Sequence, residues 1–181
     1  MENVIEVRNL YKLYRVGDEV VHALDGVSFE IPRGEFCAIV GTSGSGKSTL
    51  LNMLAGLEKP TKGKIRIAGH QIEGFSEDRL VAFRREHVGF IFQAFHLLGT
   101  MNALECGIAL SFRGIPVRKR LEVADRMLDL VKLSGHKKHL PSQMSGGQQQ
   151  RVGVARALAV DPEIILPMSL RETWIRILPG K

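Results

Sequence analysis

Long apolar runs are missing from this 181-residue chain: none approaches the roughly 20 residues that span a bilayer. The opening MENVIEVRNL lacks the basic-then-apolar pattern of a secretory leader. Together these features argue against a helical membrane protein or a secreted one. Cysteine is scarce. Cys37 lies in an apolar run and Cys106 in a predicted helix, which excludes a disulfide framework and fits a reducing cytoplasm. Concentrated charge is missing too. The net charge is +6, but the basic residues are scattered, and the runs Arg118-Lys119-Arg120 and His136 to His139 are short. A solvated face explains them better than a nucleic-acid or membrane patch. His136 and His139 have metal-like spacing but no further ligand nearby, and read as loop residues. With 44% hydrophobic and 24% charged residues, the composition is that of an ordinary globular protein, and the length suffices for one α/β domain.

What is present is a phosphate-binding loop. Gly41 to Thr49 reads GTSGSGKST and matches G-x-x-x-x-G-K-[ST] in full. The apolar run Phe36 to Val40 precedes it and Leu50 to Ala55 follows, the strand–loop–helix context the motif requires. Gly41, Gly44 and Gly46 let backbone N–H groups turn inward where a Cβ would obstruct, with Ser43 and Ser45 between them. The positive end of the next helix adds to the cradle. Lys47 can reach the β- and γ-phosphates, and the Ser48 hydroxyl can bind Mg²⁺.

Before this loop the chain reads as short antiparallel strands. Residues 3–14 form the first, up to the Gly17-Asp18 turn, and a pair follows around Val20–His22 and Gly26–Ile31. This is a small β subdomain. Tyr14 offers a face on which a nucleobase can stack, with Tyr11 as its competitor. After the loop, a strand is predicted over Lys64–Ala68, a helix near Glu77–Arg85, and a buried strand over Val88–Phe92. That strand ends at Gln93, where open α/β sheets bind ligands. Spacing alone does not decide between a Mg²⁺ or water contact and a satisfied strand-end amide. Ala94 to Leu98 is apolar where the chain should turn at the surface, and is either core or a docking patch. Val117 to Leu133 is amphipathic, with Val117, Leu121, Ala124, Leu128 and Val131 on one face. A last helix opens at Met144-Ser145-Gly146-Gly147-Gln148 and runs to about Val160, with Ser145 as its N-cap and bare N–H groups at the glycines.

Taken together these residues resemble the nucleotide-binding domain of ATP-binding cassette transporters. GTSGSGKST looks like the Walker A motif, Gln93 like the Q-loop glutamine and MSGGQQQRV like the signature motif. ARALAVDPEIIL resembles the approach to Walker B, and Tyr14 the A-loop aromatic. The match runs from about residue 3 to Leu166. Met144 departs from the usual Leu, a volume-conserving swap. The Tyr14 to Gly17 entry and REHVGFIFQAFHLL look most like the subgroup serving lipoprotein-release and macrolide-export permeases. The resemblance implies an α/β P-loop NTPase core with a small N-terminal antiparallel β subdomain and a helical signature subdomain. It implies ATP with Mg²⁺ as ligands, and Gln93 as a water or metal contact. Ser145, Gly146, Gly147 and Gln148 would face the nucleotide of a second such domain, packed head to tail. An integral-membrane permease is the implied partner, docked on the stretch after Gln93, with the domain on the inner face of the cytoplasmic membrane. Nucleic acid is not an expected partner. DNA-repair and chromosome-structure relatives carry very long coiled-coil insertions, whereas about fifty residues separate Gln93 from Ser145.

The resemblance also exposes a gap. Family members follow the Walker B strand with an Asp-Glu pair, for metal and attacking water. Here Glu163-Ile164-Ile165-Leu166 is followed by Pro167-Met168-Ser169-Leu170. Asp161 and Glu163 lie at the other end of the strand, roughly 13–20 Å away at about 3.3 Å per residue. Glu172 has no motif around it. A D-loop and switch histidine are not found before Lys181. One nucleotide inserted after a CTG codon for Leu166, with suitable synonymous codons for the tail, makes the reading continue Ala-Asp-Glu-Pro-Thr-Gly-Asn-Leu-Asp. Residues 1–166 are therefore expected to form an incomplete cassette and residues 167–181 to be an out-of-frame tail. The C-terminal part of the core would then be missing, turnover lost, and a strand edge left open to aggregation. A non-catalytic nucleotide-binding module is the competing expectation.

Overall fold

The structure, a computed structural model, describes residues 2–92, 95–168 and 174–177. In chain order the first elements are β1 (Asn3–Val16), β2 (Glu19–Pro32), β3 (Phe36–Ala38), α1 (Lys47–Leu54), β4 (Lys62–Ile67), β5 (His70–Gln71) and α2 (Glu77–His87). Then come β6 (Val88–Phe92), a 3₁₀ segment (Ala103–Arg113), α3 (Val117–Leu130), α4 (Gly146–Ala159), β7 (Ile164–Met168) and β8 (Trp174–Ile177). The chain divides into two compact units, residues 1–88 with 163–181, and residues 89–162.

In the first unit an antiparallel sheet runs in the order β2–β1–β4–β5. Its β1 residues Val4, Ile5, Val7 and Leu10 are buried, as are Ile65 and Ile67 of β4 and Leu50, Leu51, Met53 and Leu54 of α1. Each large side chain so buried contributes about 1.5–3 kcal/mol before the entropy of ordering it is counted. The two strands expected around Val20–His22 and Gly26–Ile31 are one strand. β1 and β2 stay paired through four register shifts, two of which fall at left-handed residues. Asn9 sits at φ 45° in one and Gly26 at φ 69° in the other. A Cβ on Gly26 would come within 2.9 Å of the Tyr11 hydroxyl, so Tyr11 packs across this bulge. The competition between the two tyrosines is thereby reduced to Tyr14.

The other sheet of this unit carries β3, β8 and β7 in that order, with β8 antiparallel to both neighbours. The pairs are Cys37 with Ile175 and Ile164 with Ile177. The place beside β7, expected to lie open, is filled, while β3 still ends the sheet. Residues 174–177 of the tail occupy the place between β3 and β7, and Ile175 is fully buried there. A short alternating apolar segment satisfies both ladders, because each strand it meets presents unpaired N–H and C=O groups.

The second unit has its core between the 3₁₀ segment, α3 and α4: Ala103, Cys106, Ala124, Leu128, Leu133, Met144, Val152 and Ala155. Met144 is buried there, as a replacement for Leu should be. The helix expected to Leu133 ends at Leu130. Only the middle of its apolar face is covered, since Ala124 and Leu128 are buried while Val117 and Leu121 are exposed. The 3₁₀ segment is what covers it. Gly107 lies close enough to α3 that a Cβ would sit 2.8 Å from the Arg120 carbonyl oxygen.

Candidate functional site

The loop of residues 41–46 and the first turn of α1 form the best-defined candidate site. Gly46 caps α1 in the left-handed region, at φ 82° and ψ 3°. A side chain is excluded there: a Cβ would fall onto the Ala23 carbonyl oxygen and the Leu24 side chain of β2. On Gly41 a Cβ would strike the Ser45 hydroxyl. Gly44, also left-handed at φ 80°, has open space around it. The glycines thus serve two ends: Gly46 lets the loop press against β2, while Gly44 lets the backbone turn toward solvent. The Lys47 ammonium is folded over the loop, donating to the carbonyl oxygens of Gly41 at 2.9 Å and Thr42 at 2.6 Å and to Ser45 Oγ at 3.3 Å. Ser43, Ser45 and Ser48 are exposed, and Thr49 is half-buried. A glycine-rich loop at a helix start, a primary ammonium and exposed hydroxyls together are the chemistry of a polyphosphate site.

Tyr14 belongs to the same unit. It lies near the end of β1, half-buried, and its hydroxyl donates to Glu58 Oε1 at 2.6 Å. Lys12 Nζ lies 2.9 Å from the same carboxylate oxygen and 5.1 Å from the Tyr14 ring centroid. Burial raises the Tyr14 pKa, as does the bond to Glu58, while the Thr49 side chain opposes them. Burial pushes Glu58 up, yet its bonds to Tyr14 and Lys12 outweigh this and hold the carboxyl below its ordinary value.

In the second unit, Ser145 caps α4 with a reciprocal box. Ser145 Oγ accepts from Gln148 N at 3.3 Å, and Gln148 Oε1 accepts from Ser145 N at 2.8 Å. The serine hydroxyl hydrogen is not used by that cap and stays available to donate. Gln148 Nε2 also lies 3.0 Å from His136 Nε2, so His136 is tied to the signature helix. Among the described residues no group of three His, Cys, Asp or Glu side chains could hold a metal. Gly146 and Gly147 are exposed, and a Cβ on Gly147 would meet nothing within 4 Å. Nothing among the described residues crowds that second glycine. Gln93 and Ala94 lie outside the described residues, so the strand-end glutamine is not located.

Leu97 and Leu98, after Gln93, border a cavity of about 70 Å³ with Met101, Cys106, Met144 and Val152. Burial pushes the Cys106 thiol up to about 12, so it is a packed hydrophobe and not a nucleophile. The backbone just before Leu97 is unusual. Phe95 and His96 are both left-handed, at φ 56° and 44°. Arg156 of α4 donates to their carbonyl oxygens, at 2.8 Å and 2.7 Å.

At β7 the buried residues Ile164, Ile165, Leu166 and Pro167 lead to Met168, with no carboxylate. Glu163 precedes the strand and is engaged elsewhere. Its carboxylate meets Arg33 Nη2 at 3.0 Å and His87 Nδ1 at 2.8 Å. Four partners had no signal in the sequence: Glu58, His136, Arg156, and Glu163 as an ion-pair residue. Each contact lies between positions far apart along the chain.

The strand–loop–helix cradle with its lysine makes this a P-loop nucleotide-binding protein. More narrowly, the model of the ABC transporter family matches residues 24–167, and the chain belongs to that family. It is similar to an ABC transporter ATP-binding protein of Thermotoga maritima, 46% identical over 92% of this chain and 71% of that protein. A macrolide export ATP-binding/permease protein, MacB, of Hyphomonas neptunium is 48% identical over 90% of this chain. The chain spans 25% of that protein's length. Among solved structures, the dimeric post-hydrolysis state of the ATP-binding cassette MJ0796 bound to ADP and Pi superimposes with a TM-score of 0.81. It is 40% identical, over 90% of this chain and 72% of that one. The fold is thus that of an ABC ATPase cassette, α/β with an N-terminal antiparallel sheet. Among the described residues no helix is long and apolar enough to cross a membrane.

Proposed function

We propose that this chain binds the triphosphate of ATP in the cradle of Gly41, Ser43, Gly44, Ser45, Gly46, Lys47 and Thr49, with adenine against Tyr14. The observation that carries this reading is the Gly46 turn pressed against Ala23, with the start of α1 and the Lys47 ammonium both brought onto the glycine loop. Ser48, with Gln93, would hold Mg²⁺, which neutralises charge on the phosphate oxygens. The outward-facing start of α4 (Ser145, Gly146, Gly147 and Gln148) would meet the γ-phosphate on a second copy. A glycine at 147 with open space around it is what such an approach from outside needs. The apolar stretch after Gln93, with Leu97 and Leu98, would receive a helix of an integral-membrane permease of the export type. The domain would then sit peripherally on the inner face of the cytoplasmic membrane.

The end of β7 favours a second reading for the chain as written, nucleotide binding without turnover. Met168 and Ser169 stand in the sequence where the restored frame places the Asp-Glu pair, and Glu163 is held by Arg33 and His87. We attribute this to an out-of-frame tail over residues 167–181. Deep resequencing across the codons for Val160 to Lys181 tests that: one further base restores the acidic pair, and codons incompatible with such a frame rule it out. The nucleotide reading is tested by calorimetric titration with Mg-ATP. Binding is expected in the wild type and a loss of at least tenfold in Lys47→Ala. Equal binding by both proteins sinks it.

A further inference from the structure

A stacking platform needs only an aromatic face, which phenylalanine offers as well as tyrosine. Tyr14 is held by more than its face. Its hydroxyl donates to Glu58 at 2.6 Å. Glu58 follows α1 closely, and its backbone N–H is fixed to the Asn52 carbonyl oxygen of that helix at 3.3 Å. Lys12 Nζ bridges the same segment twice, at 2.9 Å to Glu58 Oε1 and 2.9 Å to the Lys59 carbonyl oxygen. Two further bonds join the same stretches: Leu13 N to Thr61 Oγ1 at 3.0 Å and Thr61 N to the Tyr11 carbonyl oxygen at 2.9 Å. Residues 11–14 of β1 are thereby laced to residues 58–61, and those to α1, the helix that carries Lys47. The phenol is tied toward the phosphate loop's own helix through this carboxylate, with the Thr49 side chain of α1 also beside it.

We propose that Glu58 is a positioning residue, which fixes the Tyr14 ring at a set distance from the phosphate loop before a nucleotide arrives. Lys12 lies over the ring, so one face is taken by the ammonium and the other is left for a base. The proposal rests on the nucleotide-binding reading and adds to it that the Tyr14 hydroxyl, and not only the ring, sets affinity. Without the tether, the ring would have to be ordered at each binding event.

The test compares two probes, Mg-ATP and inorganic tripolyphosphate, by calorimetric titration. Tripolyphosphate engages the phosphate loop without a base. Tyr14→Phe and Glu58→Ala are each expected to weaken ATP about three- to tenfold and to leave tripolyphosphate unchanged. The double variant should be no weaker than either single one, because both cut the same tether. Glu58→Gln keeps an acceptor and should recover most of the affinity, which guards against a folding defect in Glu58→Ala. ATP affinity in Tyr14→Phe equal to wild type would overturn the proposal, as would additive losses or parallel losses for both probes. Lys47→Ala serves as the reference. If it leaves both probes bound as before, the nucleotide-binding reading itself fails, and the tether loses its purpose with it.

Discussion

Arg33, in the turn before β3, reaches Glu163 at 3.0 Å across 130 positions of sequence. His87 completes the cluster at 2.8 Å, and the Glu163 backbone N–H donates to the His87 carbonyl oxygen at 3.0 Å. Burial pushes the Glu163 carboxyl up, but the bonds from His87 and Arg33 outweigh it and hold it below its ordinary value. A carboxylate depressed in the folded state adds stability that is fully present above its unfolded pKa, about 4.3, and lost as pH falls through the folded value. Glu163→Gln should therefore lower stability by on the order of 1–2 kcal/mol near pH 7. The gap between the two unfolding free energies should narrow below about pH 4. A gap that stays constant down to pH 3 would refute this account.

Gly44 and Gly46 share a left-handed backbone but not their surroundings. Gly44→Ala should cost only the conformational penalty, about 1 kcal/mol. Gly46→Ala adds a collision with β2 backbone and should cost more, about 3 kcal/mol or above. Urea unfolding of the two variants checks the order. Equal losses would mean that β2 does not bear on the loop.

Ser145 closes the box with Gln148, and Ser145→Ala should destabilise by about 1 kcal/mol. Ser145→Asp keeps a cap and favours the helix dipole, so thermal stability should hold. It also places a negative charge where a phosphate is proposed to arrive. Any ATP-dependent dimer seen by light scattering should then be weakened in Ser145→Asp despite its intact fold.

Arg156 holds two consecutive left-handed, non-glycine residues by their carbonyls. Each such residue costs of order 1 kcal/mol or more, and the guanidinium fork offsets it. Arg156→Ala should destabilise the second unit by about 1–3 kcal/mol, and His96→Gly added to it should recover part of that. Thermal melts of the single and double variants decide. No recovery would show that Arg156 acts by packing alone.

The parts legible in the sequence were those built from neighbours. The glycine loop, the N-cap at Ser145 and the helix expected near Glu77–Arg85 (observed over Glu77–His87) are set by residues within a few positions of one another, and the family resemblance rests on such stretches. Contacts that close over long separations were not legible. Nothing near Tyr14 names Glu58, and nothing near Phe95 names Arg156. The expected break between His22 and Gly26 is not there: β2 runs through, and Gly26 lies in a bulge with one extra residue opposite Tyr11. The apolar face of α3 was drawn too long because periodicity gives direction and not coverage: Val117 and Leu121 point along the buried stripe with no element over them. The acidic pair's absence was legible at once, but that β8 would lie between β3 and β7 was not. Pairing preference depends on which strands are left unpartnered, which is a property of the whole sheet.

The β8 ladder has a consequence for the order of events during synthesis. β3 pairs with residues 174–176, 136 to 140 positions later (Ala38 with Trp174, Phe36 with Arg176). The N-terminal sheet β2–β1–β4–β5 draws only on residues 3–71 and can close while the ribosome is still adding the second unit. The strand leading into the phosphate loop gains its antiparallel neighbour only once residues 174–176 emerge, and long loop closure makes that step slow. A nascent chain would thus carry a finished sheet well before its nucleotide cradle is anchored on both sides, and ATP present in that interval would meet a loop still held on one.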